Sequence, residues 1–402
     1  MTPYAVIIPI FNALDYVKLC VTAVLRNTPK DVPVLIIDDA STDANVLRWL
    51  NSMNLRVVYH ERNLGFIRSV NEGMREALDN GFEPILLNSD AIVPPRWVER
   101  LDEARRSNPK CCSVSPLSNE CTLFSVPNVW SNELPAWLSV DAMDCIVEES
   151  SERKFQVVPT NIGFCMLLTR QALRTVGLFD EIYGKGYGDE TDWTFCARSA
   201  AFECVLADNL FVYHAHHASF GVKQRHELGI RNEEIMLERH PTARQQIEDY
   251  VVNNEQSIHR LRIADRLRPR LHSSNPRLLY VVHNWGEVGG GELFCSRLAD
   301  AMTKNFEVTV LYPSYEDACA DFMTSTTANG ILLVKMFPRL LDSIAKLGLW
   351  NFTEGAPRVD KWFAEVMEAL LPDIVHFHHV APFGSFNLPA IAARTAKVLY
   401  SV

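Results

Sequence analysis

Polar side chains that directly follow an apolar run are the first candidates for chemistry in this sequence. Asn88-Ser89-Asp90 comes after the apolar residues 85–87, and Pro94-Pro95 prevent the strand from continuing. We interpret the run as a buried strand that carries the Asp90 carboxylate to the carboxyl edge of a mostly parallel sheet, where open α/β sheets bind ligands. The alternative is that Asp90 only turns the chain and caps a helix that begins near Pro95.

A second group of side chains has the types needed to bind a nucleotide. The loop Pro9-Ile10-Phe11-Asn12 offers an apolar wall and an amide for a flat base. Asp39 could accept from a base imide or from ribose hydroxyls, and Arg62 and Arg68 could reach phosphate oxygens. The alternatives are a helix-capping role for Asp39 and a solvated surface position for each arginine.

Strands that alternate with helices must position these groups. Apolar runs predict buried strands at residues 4–10, 34–37, 55–59 and 85–87, with amphipathic helices over 13–26 and 66–78. Three of the strands end in polar or acidic loops on one edge, so the pattern predicts an α/β fold with a doubly wound parallel sheet. The first strand is not followed by Gly-x-Gly-x-x-Gly or a Gly-Lys-Ser/Thr loop, which argues against dinucleotide cofactors and P-loop ATP chemistry.

Composition limits the class of protein. A chain of 402 residues predicts about two or three domains, and 48% hydrophobic with 22% charged residues is ordinary for a globular protein. The net charge of -10 argues against a nucleic-acid partner. We expect the ten cysteines to be buried reduced thiols of a cytoplasmic protein. No run reaches about 18 apolar residues, so any membrane contact is expected to be peripheral.

Six motifs, in order and spacing, resemble those of the family 2 inverting glycosyltransferases, closest to the rhamnosyltransferase-like members that build polysaccharides. The resemblance covers residues 4 to about 220. The motifs are Val6-Ile-Ile-Pro-Ile-Phe-Asn12, Ile37-Asp-Asp-Ala-Ser-Thr-Asp43, Asn63-Leu-Gly-Phe66, Leu87-Asn-Ser-Asp90, Gly177-Leu-Phe-Asp-Glu181 and Gly188-Asp-Glu-Thr-Asp-Trp193.

The resemblance implies a GT-A fold, a nucleotide-diphosphate sugar donor and a divalent metal. Asn88-Ser89-Asp90 falls where the family often has Asp-x-Asp, with asparagine in the first position. Mg²⁺ is commonly held by one or two carboxylates plus substrate phosphates, so a metal that binds together with the donor is expected. His214 is at the family's position for a further ligand, and imidazole suits Mn²⁺ better than Mg²⁺. His216 and His217 are alternatives to it.

The acidic run Asp189-Glu190-Thr191-Asp192 follows a glycine-rich loop at residues 184–188. Inverting sugar transfer needs one general base to take the proton from the acceptor hydroxyl. The resemblance aligns Asp189 and Glu190 with the family's acidic pair, whose second member acts as the base. This implies Glu190, with Asp189 and Asp192 as alternatives. Acids that open a helix also suit its dipole, which is the structural interpretation.

Residues 117–159 break the parallel pattern, and a helix is predicted near 140–150. Trp130 and Trp137 in this stretch are expected either to pack in the core or to stack on sugar faces of an acceptor. Residues 1–222 then form the GT-A domain, and 223–275 form a helical extension and linker. Arginines cluster in that extension, as a solvated face or as a surface that docks to an anionic membrane. They are Arg260, Arg262, Arg266, Arg268 and Arg270.

Residues 276–402 restart the α/β rhythm. Strands are predicted at 278–282, 306–311, 331–334 and 372–379, and Gly289-Gly290-Gly291-Glu292 opens a helix that could bind anions. This loop and the run Pro-Asp-Ile-Val-His at 372–376 resemble the amino-terminal, Rossmann-like lobe of family 4 glycosyltransferases, which have the GT-B fold. The donor lobe of that family has no counterpart in the sequence. We expect a fragment of a bifunctional enzyme, or a half-domain that binds acceptor or mediates assembly.

The sequence as a whole predicts a metal-assisted, inverting glycosyltransferase of surface polysaccharide (O-antigen-type) biosynthesis. It would act in the cytoplasm or peripherally at the inner face of the membrane, with a UDP- or dTDP-sugar as donor and a glycan or lipid-linked glycan as acceptor. A nucleotidyltransferase is a rival, although it would need a basic triphosphate loop after the first strand. A non-catalytic module that binds sugar nucleotides or glycans is the rival from another class.

Overall fold

The computed structural model of the protein describes residues 3–215, 222–253, 256–268, 275–286, 289–314, 316, 321–337, 356–378, 380 and 383–401, with backbone only for 222–228 and 252–253. Predictions about His216, His217, Arg270 and His379 lie outside the described residues. The chain divides into two units. The first comprises Met1–Val126 and Trp130–Tyr250, and the second comprises Pro127–Val129 and Val251–Val402.

The first unit alternates strands and helices. Its strands are β1 Tyr4–Ile10, β2 Val34–Asp38, β3 Arg56–Tyr59, β4 Glu83–Leu87, β5 Ala91–Ile92, β6 Cys111–Leu117, β7 Glu120–Cys121, β8 Trp130–Ser131, β9 Val157–Val158, β10 Cys165–Leu168, β11 Glu203–Phe211 and β12 Tyr213–His214. Its helices are α1 Leu14–Asn27, α2 Ala44–Ser52, α3 Phe66–Asp79, α4 Trp97–Ser107, α5 Val140–Ser150, α6 Arg170–Val176, α7 Asp189–Ser199, α8 Val222–Arg239 and α9 Ala243–Asn253, with a 3₁₀ helix at Glu181–Tyr183.

Eight strands form one mixed sheet in the order β3-β2-β1-β4-β10-β6-β11-β9. Strands β1 to β4 are parallel, as the sequence predicts, and β6 is parallel to β11. Strand β10 is antiparallel to both β4 and β6, and β9 is antiparallel to β11. The α/β class is confirmed, with a sheet that is mixed rather than parallel throughout.

Apolar strands fix the centre of this sheet. Ile7 and Ile8 of β1 are fully buried, with side chains on opposite faces. Helix α3 packs closely on β1 because Gly73 faces Ile7, where an added Cβ would lie 2.5 Å from a methyl carbon. This close packing sets the position of the amino terminus of α3 at the carboxyl edge of the sheet.

The second unit has a six-stranded sheet in the order β15-β16-β14-β13-β17-β18, parallel except for β15. Its strands are β13 Arg277–Val281, β14 Glu307–Pro313, β15 Phe322–Thr326, β16 Leu332–Met336, β17 Ile374–Phe377 and β18 Lys397–Tyr400. Its helices are α10 Ser257–Leu267, α11 Gly290–Met302, α12 Pro357–Leu370 and α13 Leu388–Ala392. The predicted strands and the helix after the glycine-rich turn are therefore present.

The arginine cluster is not a continuous exposed surface. Arg260 and Arg268 are buried, and Arg268 forms ion pairs with Asp265 at 2.9 Å and Glu307 at 3.0 Å. Both side chains are buried in the second unit, so neither residue contributes to a solvated face or to a membrane-docking surface. Within the described part of the chain, no helix combines the length and the apolar character needed to cross a membrane. None of the nine described cysteines is in a disulfide.

Candidate active site

A cavity of about 360 Å³ opens at the carboxyl edge of the first sheet. The strand ends that the sequence predicts to form a site converge on it, because parallel strands present the same end to one edge. Ten of the predicted residues line this cavity: Pro9, Phe11, Asp39, Asn63, Asn88, Ser89, Asp90, Asp189, Glu190 and His214.

Asp90 and His214 form a pair in the cavity wall. The short strand β12 pairs antiparallel with β5, which places His214 opposite Ala91. His214 Nε2 then lies 3.3 Å from Asp90 Oδ1, and the His214 ring stacks on Phe164 at 5.0 Å between centroids. Asn119 fixes this segment, since its amide bonds the backbone N–H and the backbone carbonyl of His214 at 2.8 and 2.9 Å.

The Asp90–His214 spacing suits two ligands of one divalent cation. Adjacent ligands of an octahedral ion, at bonds of about 2.1 Å, lie about 3.0 Å apart. Carboxylate and imidazole together match Mn²⁺ better than Mg²⁺. Helix α4 begins at Trp97 with Arg96 at its N-cap position, so the helix-capping alternative for Asp90 is wrong.

Two acids from the start of α7 also line the cavity. Asp189 is 2% exposed and Glu190 is half-buried, with its side chain along Gly163. Burial raises the pKa of Asp189 well above its ordinary value, and the neighbouring Glu190 charge adds to the effect. Burial also raises the pKa of Glu190. A carboxylate with a raised pKa at a cavity wall is suited to accept a proton near neutral pH.

Asp39 is held by the protein itself. Its carboxylate accepts from the backbone N–H groups of Leu64 at 2.7 Å and Gly65 at 2.8 Å, and it pairs with His60 Nδ1 at 2.8 Å. The side chain therefore holds the loop that leads into α3, while Asp43 caps α2. Asp39 also lines the cavity, so one carboxylate connects the second strand, the third helix and the site.

Three predicted site residues do not line the cavity. Asn12 Oδ1 accepts from the backbone N–H groups of Thr42 and Asp43 at 2.8 and 2.9 Å, so its amide ties two loops together and does not face a base. Arg68 is exposed and pairs with Glu181 at 2.9 Å. Arg62, weighed with it as a phosphate ligand, is exposed and is also absent from the lining.

Asp192 is the third of these residues. Its carboxylate lies 2.8 Å from His240 Nε2 and 3.2 Å from Arg239 Nε. Cys196 Sγ lies 3.8 Å from the same imidazole nitrogen. The aspartate, the thiol and the imidazole could together hold a metal ion, but the guanidinium already neutralises the carboxylate. Asp192 thus joins α7 to the end of α8 and is a poor candidate for the base.

The structure adds site residues that the sequence reasoning missed. Tyr16, Glu120, Lys185 and Tyr187 line the cavity. Asn232 of α8 is 1% exposed, and its amide donates to the carbonyls of Tyr183, Gly186 and Tyr187 at 2.9, 2.8 and 3.0 Å. Only Lys185 had a signal in the sequence, a single cation between two glycines.

The two tryptophans of the irregular stretch are exposed. Trp130 is 52% exposed and Trp137 is 65% exposed, which excludes core packing for both. Trp130 lies in β8, opposite Cys121 of β7, and Cys121 lines the cavity. The backbone of Trp130 has φ 71°, a left-handed conformation that is uncommon for a bulky residue.

The fold and the site define an α/β centre with a carboxylate–imidazole pair and an acidic pair at one sheet edge. Comparison with known proteins assigns it more closely. Residues 5–177 match the family model described as Glycosyl transferase family 2. The amino-terminal part of the chain is therefore similar to family 2 glycosyltransferases over these residues.

Curated relatives agree with this assignment. GlyG, a glycosyltransferase of Streptococcus pneumoniae, is 28% identical over 221 residues, which cover 52% of this chain and 69% of GlyG. An uncharacterised glycosyltransferase of Haemophilus influenzae is 22% identical over 143 residues, 32% of this chain and 44% of that protein. The pneumococcal glycosyltransferase GlyA is 27% identical over 99 residues, 14% of its length. The chain thus spans less than half of the last two proteins.

Solved structures show a more distant likeness. The mannosyltransferase PcManGT of Pyrobaculum calidifontis, crystallised with GDP-Man and Mn²⁺, is 16% identical; the match covers 65% of this chain and 74% of that one at a TM-score of 0.43. GalNAc-T7, crystallised with UDP, GalNAc and Mn²⁺, is also 16% identical, covering 59% of this chain and 48% of that one at 0.44.

Proposed function

We propose that the first unit transfers a sugar from a nucleotide-diphosphate donor to a hydroxyl of a glycan or lipid-linked glycan, with inversion at the anomeric carbon, in surface polysaccharide biosynthesis. One observation carries the proposal: a single cavity brings the Asp90–His214 pair and the Asp189–Glu190 pair together in a family 2 domain. The first pair suits a metal and a diphosphate, and the second suits proton removal from an acceptor.

The donor is proposed to lie along the ends of β1, β2 and β4. Pro9 and Phe11 supply an apolar wall for the base, and Asn63, Asn88 and Ser89 line the same cavity with polar groups. Asp39 keeps the acceptor capacity that a pyrimidine imide would use, because a carboxylate can accept about four hydrogen bonds. A UDP- or dTDP-sugar is therefore favoured.

Asp90 and His214 are proposed to hold Mn²⁺ or Mg²⁺ together with the donor phosphates. The cation would neutralise charge on the departing nucleoside diphosphate. Asn88 leaves Asp90 as the one carboxylate of Asn88-Ser89-Asp90. Metal affinity is consequently expected to depend on bound diphosphate.

Glu190 is proposed as the general base. It would remove the proton of the acceptor hydroxyl as that oxygen attacks the anomeric carbon, in one displacement without a covalent intermediate. Asp189 is more deeply buried and its pKa is raised more strongly, so it would stay protonated and orient Glu190. Trp130 and Trp137 are proposed to stack on sugar rings of the acceptor.

The second unit is proposed to be the amino-terminal lobe of a GT-B glycosyltransferase. Its mostly parallel sheet and the helix that follows Gly289 support this proposal. His283 Nε2 lies 3.3 Å from Glu292 Oε1 at that helix start, which gives the carboxyl edge of the second sheet polar groups for a ligand. If this unit binds an acceptor glycan, we expect it to bind the glycan without transferring a sugar by itself.

A calorimetric screen of nucleoside diphosphates tests the proposal for the first unit. UDP, dTDP and GDP would be titrated into the full chain with and without Mn²⁺, using wild type, Asp90→Ala and Asp79→Asn as an exposed control that does not line the cavity. We expect metal-dependent binding of one nucleotide, lost in Asp90→Ala and kept in Asp79→Asn. If no nucleotide binds, the glycan-binding module is the better account. Retention of anomeric configuration in the product, seen by NMR, would exclude the inverting mechanism.

A further inference from the structure

We propose that Lys185 contacts the diphosphate of the donor. Its side chain is the protein's own positive charge at this leaving group. The inference rests on the proposed sugar transfer and deepens it. Among the described residues that line the cavity, Lys185 is the one lysine or arginine.

The charge balance of the cavity requires such a group. Five carboxylates line it, belonging to Asp39, Asp90, Glu120, Asp189 and Glu190. A nucleoside diphosphate brings further negative charge, and the repulsion must be offset before the nucleotide can bind. A metal held by Asp90 and His214 would offset part of it. Because Asn88 contributes no carboxylate, such a cation would have a small set of protein ligands, and a second positive group at the phosphates would gain importance.

Backbone geometry places Lys185 beside the start of α3. Gly184, Gly186, Tyr187 and Gly188 all have positive φ, between 67° and 120°. This conformation folds the loop onto the start of α3, where an added Cβ on Gly65 would lie 3.5 Å from both Cα and Cγ of Lys185. Glycine favours this conformation at residues 184, 186 and 188, whereas Tyr187 adopts it at a cost.

The surroundings also favour an anion at this point. The amino terminus of α3 carries positive partial charge, and Gly65, Phe66 and Ser69 from that turn line the cavity beside Lys185. Asp39 satisfies two of the backbone N–H groups there. The Asn232 amide holds this loop through the Gly186 carbonyl, and Lys185 is an exposed residue that lines the cavity. Arg62 and Arg68, the cations that the sequence suggested, are both absent from the lining.

Nucleotide fragments distinguish a phosphate contact from general support of the loop. Binding of UDP, dTDP and GDP with Mn²⁺, and of the matching nucleoside without phosphates, would be measured for wild type, Lys185→Gln and Lys185→Arg. Lys154→Gln is the matched control, since Lys154 is an exposed lysine paired with Glu152 and does not line the cavity.

Lys185→Gln is expected to weaken diphosphate binding by about tenfold or more and to leave nucleoside binding unchanged. Lys185→Arg should keep most of the affinity, and Lys154→Gln should match wild type. Equal losses for diphosphate and nucleoside would assign Lys185 to loop structure and overturn the proposal, as would wild-type diphosphate binding in Lys185→Gln. Failure of wild type to bind any nucleotide would instead overturn the proposed transferase function and this inference with it.

Discussion

His214 Nε2 lies 3.3 Å from Asp90 Oδ1, although the two residues belong to β12 and to the turn after β4. The antiparallel pairing of β5 with β12 creates this contact, and the stack of His214 on Phe164 fixes the ring plane. A strand that ends in one carboxylate thereby acquires an imidazole neighbour from a distant part of the chain.

Removal of either member of this pair should weaken metal binding. Asp90→Ala and His214→Ala are each expected to lower Mn²⁺ affinity in the presence of nucleoside diphosphate by at least about tenfold. The double variant should lose less than the sum of the single losses, because both groups act on one ion. Electron paramagnetic resonance of free Mn²⁺ measures this directly. Additive losses would show that the two residues do not share a cation.

Replacement of the acid at the second position of α7 should remove proton transfer. Glu190→Gln keeps the size and hydrogen-bonding shape of the side chain but cannot accept the proton, so kcat is expected to fall about 10²–10⁴-fold. Donor binding by calorimetry should stay near wild type. An unchanged kcat would transfer the role of base to another residue.

Burial of the acidic pair should also shift the pH profile. Because the pKa of Glu190 is raised, the acidic limb of kcat/KM should lie above the ordinary carboxyl range of about 4. Asp189→Asn should leave that limb nearly in place, because an amide can still donate toward Glu190. The measurement is the initial rate against pH at subsaturating acceptor. A limb at the ordinary glutamate value would contradict the assignment.

His60 should make the stability of the first unit depend on pH. Burial acts to lower the pKa of His60, but hydrogen bonds to Asp39 and Glu72 outweigh it and raise the pKa above 6.5. The folded state then binds the proton more tightly than the unfolded state. This stabilisation is complete below the unfolded pKa and is lost as pH rises through the higher folded value. The unfolding free energies of wild type and His60→Gln, measured with urea, should therefore differ most at low pH. They should converge at pH values above the folded pKa of His60. A difference that stays constant with pH would assign the effect to packing alone.

Asn232 is expected to affect stability and donor binding through the loop whose backbone carbonyls it binds. Asn232→Ala removes donors to three backbone carbonyls and is expected to cost about 1–3 kcal/mol of unfolding free energy. Asn232→Asp should cost more, because a carboxylate would face the same carbonyls. Hydrogen exchange of residues 183–188 should rise in both variants, together with the KM for donor. Unchanged exchange in the loop would show that other contacts suffice to hold it.

The sequence by itself determined the main strands, the carboxyl edge of the sheet as the place of the site, and most of the candidate residues that line the cavity. Apolar runs such as those of β1, β2 and β4 can only be buried, and a polar residue after each run must emerge where the strand ends. The places of Asp39 and Asp90 follow from that rule, and the choice of Glu190 came from the family resemblance; all three line the cavity. The helix predicted near residues 140–150 is present as α5.

Tertiary structure alone decided which side chains face the cavity. Asn12, Arg68 and Asp192 have suitable types and suitable places in the chain, yet each is turned to a partner in another element: a neighbouring loop, Glu181 and the end of α8. Periodicity fixes the face of a strand or helix that is buried, but the direction of a loop side chain depends on hydrogen bonds to residues distant in sequence. For the same reason Asn232 had no signal in the sequence, because its three acceptors come from a loop more than forty positions away.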